Sequence, residues 1–419
     1  MIKLEFQNYQ EMFLESLKLY KGWKVIKTKF DSFKREVHVY IENENNEEGI
    51  CPICGEEKPK YDFEDQIKMW RHGDCVFFPT YIHCRRMRTK CDKCGIHTVN
   101  VPWARETSKF TLQFEGYALF MATNMPLSQA CVLLRCGYKQ LFNIIKYWVN
   151  KAIEERVLDD VTAINVDETS SRKGHNYVTV IIDAVRRYVI DVEIGKDNTT
   201  MIKFREFLIK HGGDPNKINT FISDLSNAFK KGCEENFPNA KRVNDKFHVK
   251  QMLTKAINEI RKAELRKEVE ESNKKLLKQT SKTLMKKAEN LTEKQSKYVD
   301  EVNKKYKNIG KAYEMIETLD DIYSYHLRAT AEVKFNKLIG WMMRCKVEEL
   351  KKVGRTYKEN KEQILNYFDN NYTNAVAEGI NNNIQSIKRR AKGYSNIENF
   401  IMMIYLIAGK LNINCPFPY

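Results

Sequence analysis

The stretch from Val161 to Asp197, VTAINVDETSSRKGHNYVTVIIDAVRRYVIDVEIGKD, sets the tightest limits on what this chain can fold into. It predicts three short strands: one ending on Asp167, a second over Tyr177–Asp183 and a third over Arg187–Ile194. The last two are rich in Val, Ile and Tyr, and Ala184–Arg186 is short enough to be a hairpin turn. The acidic pair Asp167-Glu168 follows directly on the apolar run Ala163–Val166. A carboxylate at the C-terminal end of a buried strand is held by the sheet yet faces solvent, where a hard cation can reach it. Asp is also a common turn or capping residue at strand ends. The residues downstream bear on the choice.

Thr199–His211 reads as a crossover helix closed by Gly212-Gly213, and a fourth strand, Ile218–Ser223, then delivers Asp224. Such a crossover lets the fourth strand lie parallel beside the first, so that Asp167 and Asp224 emerge side by side. A helix over Ser226–Asn236 and a short fifth strand, Lys241–Asn244, follow and lead to Asp245. From residue 246 to about 368 the chain is Lys- and Glu-rich and almost free of Pro and Gly. Val249–Ala288 and Glu293–Tyr325 predict long helices of a solvated insertion, since no strict heptad persists. Phe335 and Trp341 mark a later helix that packs against something.

Asn374–Ala391 predicts one more helix, in which Val376, Ile380, Ile384, Ile387 and Ala391 share a stripe about 80° wide. Glu378 lies on the opposite side, among Asn374, Asn381, Asn382, Gln385, Lys388 and Arg389. A solvated face would usually carry Lys and Glu pairs. One carboxylate among amides and bases is better suited to holding a metal and a polyanion together.

Upstream, the alternating run Trp23–Ile41 predicts strands, after a possible amphipathic helix nearer the N-terminus. Two knuckles follow, Cys51-Pro-Ile-Cys54-Gly and Cys91-Asp-Lys-Cys94-Gly, with 36 residues between them. Paired CxxC turns suit a tetrahedral thiolate site, and zinc is the expected ion; a redox role lacks its usual βαβ surroundings. Cys75, Cys84, His72 and His83 lie in the intervening loop and could substitute as ligands, although their spacing is irregular. Arg85, Arg86 and Arg88 on a strand-like run suit either phosphate contacts or a solvated edge strand. Helices over Phe110–Ala122, from Pro126 and over Tyr138–Ile153, with Gly137 in the last turn, give a helix-turn-helix outline that an ordinary three-helix bundle shares. Lys+Arg 71 against Asp+Glu 55 leaves a net charge of +16, which favours a polyanionic partner. No run approaches a membrane span, the N-terminus lacks signal-peptide order, and eleven cysteines then suggest metal ligation or free thiols in a cytoplasmic protein.

With these residues in place the chain resembles the DDE transposases of bacterial insertion sequences, specifically the ISL-three family. The resembling segments are Val166-Asp-Glu-Thr with Lys173-Gly-His-Asn-Tyr, Ser223-Asp-Leu-Ser, and Pro238-Asn-Ala with Asp245-Lys-Phe-His-Val. Two more are Asn374-Ala-Val-Ala-Glu-Gly-Ile-Asn and Ile387-Lys-Arg-Arg-Ala-Lys-Gly-Tyr. Lys246 stands where the family commonly has Arg. The resemblance implies an α/β, multidomain chain with a ribonuclease H-like catalytic core, a long helical insertion, and a zinc-binding β module and helix-turn-helix ahead of it. The expected divisions are 1–50, of uncertain fold; 51–104, the zinc module; and 105–156, the helix-turn-helix. Residues 157–245 and 370–395 would form the core, 246–369 the insertion, and 396–419 a C-terminal helix and tail.

It further implies that Asp167, Asp224 and Glu378 hold two Mg²⁺ or Mn²⁺ ions for phosphodiester hydrolysis and strand transfer. One structural Zn²⁺ would sit on Cys51, Cys54, Cys91 and Cys94. DNA contacts are expected from Arg85, Arg86, Arg88, Lys139, Lys246, His248, Asn382, Lys388 and Arg389. The implied partners are transposon-end and target DNA, bound by a homodimer or higher homo-oligomer, with no membrane association. A DNA-binding regulator with an inactive core and a structure-selective nuclease are the rival readings.

Overall fold

The computed structural model describes residues 22–44, 47–75, 77–171, 177–369, 375–391 and 393–415, with the side chains of 375–378 set apart. The amphipathic helix expected ahead of Trp23 lies outside these residues. The chain is a mixed α/β protein that divides into two compact units, Met1–Ile153 with Asn412–Tyr419, and Glu154–Leu411.

In the first unit, alternation along the strands sends every second residue inward. Val37, Val39 and Ile41 of β2 (Glu36–Asn43) meet Trp70 of β5 (Lys68–Cys75), Ile82 of β6 (Phe78–Cys84) and Trp103. With β1 (Trp23–Asp31) these strands form a sheet in the order β1-β2-β6-β5. A second sheet, β3-β4-β7-β8, is built from β3 (Glu48–Ile50), β4 (Glu57–Phe63), β7 (Met87–Cys91) and β8 (Gly95–Thr98). The long spacing between the cysteine knuckles therefore holds a hairpin, β5–β6, which leaves the second sheet and joins the N-terminal hairpin through parallel β2 and β6.

Three helices follow: α1 (Leu112–Asn124), α2 (Leu127–Leu134) and α3 (Tyr138–Glu154). Thr111 caps α1 by accepting from the Phe114 N–H, and Arg135, at φ 49°, ends α2. Glu115 of α1 is fully buried and accepts from Arg105 Nε at 3.0 Å and Trp148 Nε1 at 2.8 Å, which ties α1 to α3. A charge this far from water is tolerable only because it is paired and hydrogen-bonded.

The second unit is centred on a five-stranded sheet in the order β11-β10-β9-β12-β13. Its strands are β9 (Ala163–Ser170), β10 (Tyr177–Asp183), β11 (Tyr188–Ile194), β12 (Thr220–Ser223) and β13 (Lys241–Asn244). β10 is antiparallel to both neighbours, whereas β12 runs parallel to β9 and β13. α4 (Thr199–Lys210) and α5 (Asn227–Asn236) bury Met201, Phe204, Leu208 and Phe229 against Ile164, Val166, Ile181 and Phe221.

Beyond β13 the expectation of two long solvated helices fails. The chain makes α6 (Lys246–Lys267), α7 (Glu271–Gln279), α8 (Glu293–Lys305), α9 (Lys307–Ile322), α10 (Arg328–Arg344), α11 (Glu348–Glu359) and α12 (Lys361–Leu365). These enclose a core of their own, including Leu253, Ile257, Ile316, Phe335, Leu338 and Tyr357. A straight helix over Val249–Ala288 would extend about 60 Å and leave most of its apolar positions in water. Breaking it lets them return to one core. α13 (Ala375–Ala391) and α14 (Ile397–Ala408) then come back to the sheet, where Tyr405 donates to Asp191 of β11 at 2.8 Å.

Candidate active site and metal centre

β9 does not end on Asp167, as the sequence suggested, but continues to Ser170. What ends there is its pairing with β12, whose last register partners are Ile222 and Asn165. Two residues further, Asp224 follows β12 level with Asp167. Asp245 follows β13 at the same level, because Ser223 pairs with Asn244. Neighbouring strands lie roughly 4.8 Å apart, so the three carboxylates stand in a row where the parallel pairing of β9, β12 and β13 ends.

Each carboxylate keeps a distinct set of partners. Asp167 Oδ1 accepts the Glu168 N–H at 2.8 Å, and Oδ2 accepts Asn381 Nδ2 of α13 at 2.6 Å. Asp224 Oδ1 accepts the Ser226 N–H at 2.9 Å, shaping the turn into α5. Asp245 caps α6 through the Phe247 N–H at 2.7 Å. His248, on the first turn of α6 and expected to contact DNA, has its Nε2 3.6 Å from Asp167 Oδ1.

Burial pushes the Asp167 carboxyl up, but His248, the Glu168 N–H and Asn381 outweigh it and hold its pKa below the usual value. Burial lowers the His248 pKa, yet Asp167, Asp245 and Asp224 raise it overall. Glu168 is raised by burial first and then by the negative charges of Asp224 and Asp167. Among the described residues, four acidic groups therefore converge on one half-buried place beside the His248 imidazole. Such crowding of like charge invites cations.

α13 lies along β9. Lys388 donates to Thr169 Oγ1 at 2.8 Å and to the Ser170 carbonyl at 2.9 Å, while Asn381 reaches Asp167. Seven helical residues and three strand residues both span about 10 Å, which is why these contacts can recur in step. Ile380, Ile384 and Ile387 are buried, as the expected stripe requires, whereas Ala391 is exposed. The side chain of Glu378 lies outside the described residues.

In the first unit Cys51, Cys54, Cys91 and Cys94 come together, all four sulfurs lying within 4.8 Å of one another. Cys54 and Cys91 Sγ are 3.7 Å apart, close to the roughly 3.8 Å edge of a tetrahedron with Zn–S of about 2.3 Å. Gly55 at φ 74° and Gly95 at φ 91° complete the two knuckles in a conformation that side chains resist. The N–H groups of Cys54 and Ile53 point at Cys51 and bring its thiol down to about 7. The other candidate ligands are used elsewhere. Cys84 is buried in the sheet core, His72 meets Thr111 Oγ1 at 3.0 Å, and His83 Nε2 lies 2.9 Å from His38 Nδ1. Cys75 ends β5 and is not part of the cluster.

Several expected DNA contacts already have partners. Arg86 makes a two-pronged pair with Glu64 at 2.9 and 2.7 Å, Arg88 pairs with Asp62, and Lys388 is committed to β9. Lys246 stands 4.9 Å over the Tyr323 ring. Arg85, Lys139, Asn382 and Arg389 are exposed. Glu168 and Asn381 belong to the acidic site but were not expected there. Glu168 adjoins Asp167 in sequence, and Asn381 shares the polar side of its helix, so both left a signal.

A family model described as a transposase, of the DDE type and the ISL-three group, matches residues 164–404. Two strains of Mycobacterium tuberculosis, CDC 1551 and H37Rv, carry a transposase for insertion sequence element IS1557 that is 26% identical over 212 residues. That alignment takes in 50% of this chain and 47% of the relative, so the chain spans about half the length of these curated relatives. The transposase for insertion sequence element IS1001 of Bordetella parapertussis is 21% identical over 358 residues, 85% of this chain and 87% of that one. The match covers the sheet, the helices that follow it and α13 alike, and the chain belongs to the ISL-three family of DDE transposases.

Proposed function

We propose that the chain is an insertion-sequence transposase that binds the ends of its element and catalyses metal-dependent phosphodiester hydrolysis and strand transfer into target DNA. The observation that carries this reading is that Asp167 and Asp224 each lie two residues past the last paired residues of parallel β9 and β12, with α13 docked on β9. The strand order, with its antiparallel second strand, supports a ribonuclease H-like core over 157–245 and 370–395. The helices of 246–369 are its insertion. Residues 51–104 and 105–156 would recognise DNA through the zinc module and helix-turn-helix. Position 378 lies three residues before Asn381, one helical turn from the residue that touches Asp167.

Asp167, Asp224 and Glu378 would hold a pair of Mg²⁺ or Mn²⁺ ions. Such ions polarise the attacking water or 3′-OH and stabilise the leaving oxyanion. His248 and Asn381, which contact Asp167, would orient its carboxylate for the ions. Cys51, Cys54, Cys91 and Cys94 would hold one Zn²⁺. The partners are transposon-end and target DNA, bound by a homodimer or higher homo-oligomer in the bacterial cytoplasm. Among the described residues no helix is long and apolar enough to cross a membrane.

The test uses the full chain and a duplex containing the DNA that flanks its reading frame. Asp167→Asn, Asp224→Asn and Glu378→Gln should each lower Mg²⁺-dependent end cleavage by at least about 10³-fold while leaving duplex affinity within a few-fold. Asp245→Asn should cost less, because its carboxylate already caps α6. Normal cleavage by Asp224→Asn together with loss in Asp245→Asn would move the second metal ligand to Asp245. Cleavage without joining in the wild type would favour the nuclease reading.

A further inference from the structure

β2 and β6 run parallel from adjacent starts, so the β1–β2 and β5–β6 turns lie at the same end of their sheet. That end is aromatic and basic. Phe33 is 95% exposed and Phe77 is 85% exposed, and half-exposed Phe30 packs edge-on against Phe78 at 5.1 Å. The Arg35 guanidinium lies 5.4 Å over Phe78, so the two hairpins brace each other. Lys29, Lys34 and Arg35, on the same hairpin as Phe33, are exposed as well. The carboxylates at this end are committed: Asp31 accepts the Phe33 and Lys34 N–H groups, Glu36 meets His38 and the Tyr81 hydroxyl, and Asp74 pairs with Arg71 and Arg135.

The tip is also tied to the helix-turn-helix. Phe77 sits at φ 69°, a conformation rare for a bulky residue, and its carbonyl accepts Arg135 Nη1 at 3.0 Å. Arg135 begins the three-residue turn into α3. Two nearly bare rings on braced turns, one on a hairpin with exposed cations and the other anchored beside α3, fit a polyanion that offers apolar surface between its charges. Stacked base pairs between phosphates answer to that chemistry. An anionic membrane offers it too, but nothing about a membrane explains the tie to α3.

We infer that Phe33 and Phe77 wedge between base steps of duplex DNA beside the groove that α3 occupies and kink it there. This rests on the reading of α3 as a DNA-binding helix. The test begins by selecting duplexes from a random pool with the full-length protein. On the selected duplex, end-to-end energy transfer reports bending, and 2-aminopurine beside the protected region reports unstacking.

The wild type should bend the duplex and brighten 2-aminopurine. Phe33→Ala with Phe77→Ala, both changes at exposed rings, should abolish both signals and weaken binding about tenfold. Lys139→Ala should weaken binding but leave the bend intact. A wild type that binds a selected duplex without bending it overturns the wedge alone. A double variant that bends DNA normally yet loses binding to phosphatidylserine vesicles overturns it in favour of a membrane. A selection that recovers no duplex overturns the DNA-binding reading and the wedge together.

Discussion

Asp167 and Asp191 stand two strands apart in one sheet, and their surroundings push their protonation in opposite directions. Asp167 is held ionised by His248 and Asn381 despite its burial. Asp191 is almost wholly buried, and burial brings its carboxyl up to about 6 even though Tyr405 and the Val192 N–H donate to it. Its second oxygen, Oδ2, has no hydrogen-bond partner among the described residues. Between about 3.9, the unfolded value, and about 6 the folded state binds the extra proton, so stability falls as pH rises through this window. The penalty is fully present above about pH 6 and amounts to roughly 2–3 kcal/mol. Asp191→Asn should flatten this dependence. Urea midpoints for wild type and variant should diverge between pH 4 and pH 6.5, with the variant relatively more stable at the upper end; parallel curves would exclude the assignment.

At the scale of elements, the two cysteine knuckles are the turns of the β3–β4 and β7–β8 hairpins, and they meet when β4 and β7 pair. Changing Cys51 and Cys91 to Ser removes one sulfur from each knuckle. The wild type should carry about one zinc per chain by elemental analysis, and the double variant almost none. Retention of a full equivalent in the variant would show that the metal lies elsewhere. The four sulfurs belong to hairpins that pack few large apolar side chains, so metal loss should also loosen β3, β4, β7 and β8 as a group. Amide exchange confined to these strands is the expected sign.

For the molecule as a whole, the compactness of the first unit predicts the smallest piece that should fold alone. A fragment beginning at residue 51 would lose β1, β2 and β3 and so expose Trp70 and Ile82 on the inward side of β5–β6, with Trp103 packed against them. A fragment of residues 1–153 should therefore be monodisperse and thermally cooperative, whereas 51–153 should aggregate or expose apolar surface to ANS. The longer fragment should still bind the selected duplex with steep salt dependence but should not cleave it. Equal solubility and cooperative melting of the two fragments would show that the N-terminal hairpin is dispensable.

What the sequence determined by itself was local. β10 over Tyr177–Asp183 and β13 over Lys241–Asn244 match their expected bounds, and α3 and α4 differ by one residue, because period and turn chemistry suffice there. The knuckle cysteines were equally legible from spacing. The tertiary structure alone decided whatever depends on residues far apart in the chain. It placed the N-terminal hairpin beside β6, between the knuckles, and brought His248 back to Asp167. It gave Arg86 and Arg88 their carboxylates, and it broke the insertion helices where no Pro or Gly announced a stop. Periodicity tells which side of an element is apolar. Which distant surface covers that side, and which charge a long side chain meets, is settled only when the whole chain has packed.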